Sequence, residues 1–221
     1  MVCCLLVIRM RNIPLFTTEF GVASLVLEKI PYSGQAYIVI QNTNEPDRLL
    51  QECVAFCHTA GAVSVYATGA AFLEKHPLYT TVIAMSRSLI GLPLTDAVLI
   101  QVQKESLSDW RELYNEKMRN VPNAAFLTIR DSEKLLQEGN CYYIYKNNAL
   151  IGIGVAENGA IKAIASVVPG GGKDAVLALC GALHSDTVSL EVAANNIPAV
   201  KLYTSLGFAE IGTISRWYQI N

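Results

Sequence analysis

Glu191, Asn195, Asn196 and Tyr203 lie close together in the stretch TVSLEVAANNIPAVKLYTSLGF. A strand-like run breaks at two asparagines and restarts as a short helix, so a carboxylate and a phenol are carried on consecutive elements. Along the strand Val188, Leu190 and Val192 share one face, and Glu191 points to the other with Ser189 and Ala193. Asn195 and Asn196 suit a helix N-cap, Pro198 suits the first turn, and Gly207 ends the helix with Phe208 placed to pack back on it. A tight polar junction of this kind can hold a ligand, or it can be only a junction.

A second stretch, VVPGGGKDAV, brings a different chemistry. A strand stops at Pro169, Gly170, Gly171 and Gly172 follow, and a helix starts near Lys173 or Asp174. Free N–H groups at a helix start, reached through residues without side chains, bind an anion such as a pyrophosphate. A glycine-rich turn with no ligand gives the same pattern. The spacing is neither GxGxxG nor GxxxxGK[ST], and Asp174 after the lysine leaves no hydroxyl for magnesium.

Composition narrows the field. With 17 basic and 19 acidic residues among 221, the chain has no excess of positive charge to follow a nucleic-acid backbone. No apolar run is long enough to span a bilayer, and MVCCLLVIRM reads as a strand, so a soluble cytoplasmic protein is expected. The six cysteines lack the spacing of a disulfide framework, which fits reduced thiols. Cys53 and Cys57 share a helical face with His58 beside it, but a structural metal site needs further ligands; buried structural cysteines and no metal are expected. His58 and His76 read as structural, and His184 as a cap at the end of a helix.

These residues need elements to hold them. Strands are expected at 2–10, 22–30, 35–41 and 62–68, with a helix at 46–60, a turn at PYSG, a short helix in AAFLEKHPLY and a strand in TTVIAMS. After a pause at 91–95 the order is strand (AVLIQVQ), two helical segments, a hairpin, strand (AIKAIASVV), glycine turn, helix, strand, helix and strand. Lys146-Asn147-Asn148 and Glu157-Asn158-Gly159 are the hairpin turns. The fold class is mixed α/β, with a division into residues 1–94 and 95–221.

Asn196 to Phe208 reads N-x-x-A-x-x-L-Y-x-x-L-G-F, which resembles motif B of the GCN5-related N-acetyltransferase (GNAT) superfamily. The segment LEVAANNIPAVKLYTSLGFAEIGTISRWY is also similar to that of ribosomal-protein alanine N-acetyltransferases. The resemblance covers residues 97–221. It implies an acetyl-CoA-dependent transfer of an acetyl group to a primary amine. The cofactor would lie where AIKAIASVV and TVSLEVA splay apart, its pantetheine arm pairing with the backbone near Ala165 and Val167. Its pyrophosphate would rest on Gly170, Gly171, Gly172, Lys173 and Asp174, with Asn196 on the pantetheine side. Glu191 would be the base, Tyr203 the acid facing the sulfur, and the oxyanion donor a backbone N–H near Val167.

The loop departs from the family's [QR]-x-x-G-x-[GA]: it has no Arg or Gln, and Lys173 stands where a glycine usually does. By analogy Trp110, Tyr114 and Asn123 would frame the acceptor pocket. The β-β-α-β-α-β order of the first half is similar to the same fold but carries neither motif, which implies a degenerate GNAT-like domain serving as a lid, substrate wall or dimer surface. A non-catalytic acyl-CoA-binding module is the alternative function; the amine acceptor is not specified, and a homodimer is left open.

Overall fold

The computed structural model describes residues 3–4, 15–122 and 124–220. In chain order these form β1 (Cys3–Cys4), β2 (Leu15–Thr18), β3 (Gly21–Val26), α1 (Ile30–Ser33), β4 (Gln35–Thr43), α2 (Pro46–Thr59), β5 (Ser64–Thr68), β6 (Leu78–Ser88) and β7 (Val98–Gln101). There follow α3 (Leu107–Met118), α4 (Ile129–Gln137), β8 (Cys141–Lys146), β9 (Ala149–Glu157), β10 (Ala160–Ser166), α5 (Gly172–Gly181), β11 (Thr187–Ala193), α6 (Ile197–Ser205) and β12 (Ala209–Gln219). No helix among the described residues is long and apolar enough to cross a membrane.

Two compact units are present, Met1–Val7 with Ile83–Gly212, and Ile8–Val82 with Thr213–Asn221. They differ from the linear division at 94 and 95: one unit begins inside β6, and the other regains the last residues of the chain through β12. The register within the smaller unit shows why. Tyr218 and Gln219 pair antiparallel with Ala67 and Tyr66, and the Thr68 hydroxyl donates to the Arg216 carbonyl at 2.6 Å.

The larger unit runs β6-β11-β10-β9-β8-β7 across its sheet. β7, β8, β9 and β10 are antiparallel neighbours, and β11 joins β10 in parallel after the α5 crossover. Both hairpins turn through left-handed residues: Asn147 and Asn148 at φ 50° and 62°, then Asn158 and Gly159 at 48° and 74°. Asparagine and glycine tolerate that region best, which is why both turns were legible. α5 buries Ala175, Val176, Leu177, Ala178, Leu179 and Cys180. It approaches β9 closely because Gly152 and Gly154 carry no side chain; a Cβ on Gly154 would stand 2.5 Å from the Leu179 Cδ1.

The smaller unit repeats this plan. β2, β3 and β4 are successive antiparallel neighbours, α2 crosses over, and β5 pairs with β4 in parallel. β2 is an addition to the expected elements. PYSG is a helical turn ended by Gly34 at φ 67°, rather than a simple hairpin turn. The segment AFLEK is a short 3-10 turn, and the expected strand at 2–10 lies outside the described residues except for β1.

Candidate active site

The site elements are β10, β11, α5 and α6 of the larger unit. β10 and β11 pair in register only at Ala160–Ser189 and Ile161–Leu190. Beyond that point they share no further ladder pairs, so the facing edge of β10 is left to another partner. β1 takes part of it, with Cys3 opposite Ala165 and Cys4 opposite Ile164. In the smaller unit the corresponding pair is closed: β4 and β5 stay in register from Gln35–Ser64 through Val39–Thr68.

The direction of the backbone groups decides which residues of β10 offer donors and acceptors toward β11. The Val167 N–H donates to the Ile151 carbonyl at 2.9 Å, on the β9 side. Ala165 faces Ile153 on that same side. Strand alternation therefore assigns the groups of Ile164 and Ser166, not those of Ala165 and Val167, to the edge facing β11.

The glycine run builds a helix start. Gly170 is left-handed at φ 81° with open space where a Cβ would be, and Gly171 is the N-cap of α5. A Cβ on Gly171 would meet the Ile151 carbonyl and Val168 Cγ2 at 3.0 Å and Ser166 Oγ at 3.1 Å. Because the Ala175 N–H makes the first helical bond, to Gly171 at 3.0 Å, the N–H groups of Gly172, Lys173 and Asp174 have no acceptor within the helix. Lys173 is exposed. Asp174 is held: the Thr95 hydroxyl donates to one carboxylate oxygen at 2.8 Å and Lys146 Nζ to the other at 3.0 Å. Lys146 also pairs with Asp96 at 2.8 Å. Its hydrogen bond, and then that of Thr95, holds the Asp174 carboxyl below the usual range.

α6 presents the phenol. Asn196 is its N-cap by position, half-buried, and its carbonyl accepts from the Val200 N–H at 3.0 Å. The helix closes in a Schellman motif: Phe208 N–H donates to the Tyr203 carbonyl at 3.0 Å, and Gly207 N–H, at φ 83°, to Thr204 at 2.9 Å. The apolar contact that accompanies this motif is the pair Tyr203–Phe208, with ring centroids 5.8 Å apart. L-Y-x-x-L-G-F is thus a helix stop that fixes Tyr203 by its own backbone. The Arg87 guanidinium adds a hydrogen bond to the Leu206 carbonyl. Tyr203 is wholly buried in the core of this unit.

Glu191 is half-buried between the buried Leu190 and Val192, on the face expected from the alternation. Burial raises its carboxyl above the ordinary carboxylate range, and Lys162 pulls it partly back.

Other candidates resolve differently. Trp110 and Tyr114 are core residues, stacked 5.7 Å apart, and Trp110 donates its indole N–H to the Tyr142 carbonyl at 3.1 Å. Asn123 lies outside the described residues. His184 is exposed and stands beyond α5, whose cap is Ala182, so it does not end that helix. His58 is turned toward the Ala62 carbonyl, with Nδ1 at 2.9 Å. Cys53 and Cys57 are buried, their thiols pushed up to about 12 and about 11 mainly by that burial.

No family profile and no curated protein matches the chain. Solved structures do. A GCN5-related N-acetyltransferase from Anabaena variabilis superposes with TM-score 0.61 at 12% identity, over 90% of this chain and 59% of that one. The fold is that of the GCN5-related N-acetyltransferases. A conserved protein of unknown function from Staphylococcus epidermidis matches over 94% of this chain and 93% of its own, with TM-score 0.56 and 12% identity. A tandem GNAT protein from the clavulanic acid biosynthesis pathway matches at TM-score 0.52 and 14% identity, over 90% and 78% of the two chains. The extra N-terminal half, with its repeated strand order, accords with that tandem arrangement.

Proposed function

We propose that the chain is an acetyl-CoA-dependent N-acetyltransferase acting on a primary amine, either a protein N-terminus, a lysine or a small amine. The observation that carries this reading is the parting of β10 from β11 after Ile161 and Leu190, with the open start of α5 following β10 and the buried Tyr203 following β11. The residues present fit the cofactor. The β10 edge at Ile164 and Ser166 offers backbone groups to an amide-bearing arm, and the glycine turn with the first N–H groups of α5 suits a diphosphate. β1 pairs with that same edge at Ile164 and Ala165, so cofactor entry requires β1 to release it.

Acetyl-CoA supplies the acyl group as a thioester. The residues of the chain manage protons and charge: Glu191 takes the proton that the acceptor nitrogen loses as its bond to the acyl carbon forms. A backbone N–H on the β11-facing edge of β10 holds the oxygen, and Tyr203 gives a proton to sulfur as the C–S bond breaks. Asn196, at the junction of β11 and α6, contacts the arm.

Replacing Tyr203 by Phe tests this reading, with thiol release measured over a panel of amines. Turnover should fall about 10²–10⁴-fold while acetyl-CoA binding persists. Unchanged turnover removes Tyr203 from the mechanism, and binding without turnover in the unaltered protein makes the chain an acyl-CoA-binding module.

A further inference from the structure

Asp174 is the third residue of α5, inside the first turn where the helix offers its unpaired N–H groups. A carboxylate there is favourable for the helix and unfavourable for a diphosphate, because it repels the anion and can bend back to take the same donors. Here both of its oxygens are engaged by groups outside the helix. Thr95 Oγ1 donates to Oδ1, and Lys146 Nζ to Oδ2. Thr95 in turn accepts the Ala97 N–H at 3.2 Å, and Lys146 reaches Asp96. One cluster therefore ties the connection between β6 and β7, the last residue of β8 and the first turn of α5.

We propose that Lys146 is a positioning residue for the cofactor's diphosphate: bridging Asp96 and Asp174, it holds the Asp174 carboxylate off the open N–H groups of α5 and offsets its charge. This inference rests on the acetyl-CoA reading above. It also accounts for a loop without the family's usual Arg or Gln. The diphosphate is left to backbone donors and exposed Lys173, which serves only if the neighbouring carboxylate is held aside and its charge partly offset. Lys146 touches no reacting atom; it acts through Asp174.

The test compares two acyl donors, acetyl-CoA and S-acetylpantetheine, which lacks the diphosphate. In Lys146→Met, acetyl-CoA binding should weaken about fivefold, with kcat at saturation little changed. S-acetylpantetheine should bind that variant as it binds the unaltered protein. Adding Asp174→Asn to Lys146→Met should restore acetyl-CoA affinity, and Thr95→Val should shift it in the same direction as Lys146→Met. Urea midpoints show that each variant is folded. Equal loss for both donors would make the cluster a general brace and overturn the proposal, as would an unchanged acetyl-CoA affinity in Lys146→Met. If the unaltered protein binds neither donor, the acetyl-CoA reading fails and takes this inference with it; binding of either donor separates the two failures.

Discussion

At the residue scale, the proposed proton acceptor and proton donor, Glu191 and Tyr203, lie in different surroundings. Glu191 is half-buried, so its neutral form is favoured and its proton leaves only above the ordinary carboxylate range. If Glu191 is the base, activity rises with pH as that proton is lost, and the acidic limb of the kcat/KM profile lies above the value of a free glutamate. Lys162 opposes the shift. Lys162→Met should therefore move the limb to still higher pH, and Glu191→Gln should remove it; a limb unmoved by either change excludes Glu191 as the base. Much at this scale was legible in sequence. The face of Glu191 followed from strand alternation, and the fixing of Tyr203 from Gly207 and Phe208, since a helix stop is local chemistry. The bond from Lys146 to Asp174 was not legible: the two residues lie on separate elements, and only the fold joins them. Trp110 and Tyr114 were misplaced because an aromatic stripe on a helix looks the same whether it lines a pocket or fills a core.

At the scale of elements, close packing sets the position of the glycine loop. α5 lies on β9 across Gly152 and Gly154, with Ala175 and Leu179 against them. Gly154→Ala would place a methyl within 2.5 Å of Leu179 and 3.1 Å of the Ala163 carbonyl, and the latter is backbone that cannot rotate away. The substitution should destabilise the protein by about 1–3 kcal/mol in urea unfolding, the usual cost of overpacking. A neutral change would mean that α5 is free to shift, and with it the start of the loop. Sequence located β11 and both asparagine turns because their patterns are periodic or demand a left-handed backbone. It placed the start of α5 too late, since Gly172 gives no helical signal. It also missed β2, a short strand with two exposed and two half-buried residues and no apolar face to announce it.

Across the whole molecule, two units built on the same strand order differ in one respect. One leaves β10 and β11 parted after two pairs, while the other keeps β4 and β5 paired over five. A closed ladder has no free backbone edge for an amide-bearing arm, and the turn after β4 in the smaller unit, NTNEPDR, has no glycine to admit a diphosphate. The repeat could be suspected from the order of elements in the sequence, but closure of the ladder could not, because register is set by tertiary pairing. The units also divide at Ile83 and return at Thr213, where no change of composition marks a boundary. In isothermal titration of acetyl-CoA into the full chain, the parting of β10 from β11 predicts saturable binding at one site per chain, abolished by Gly170→Asp; no saturable binding, or two sites per chain, would contradict it.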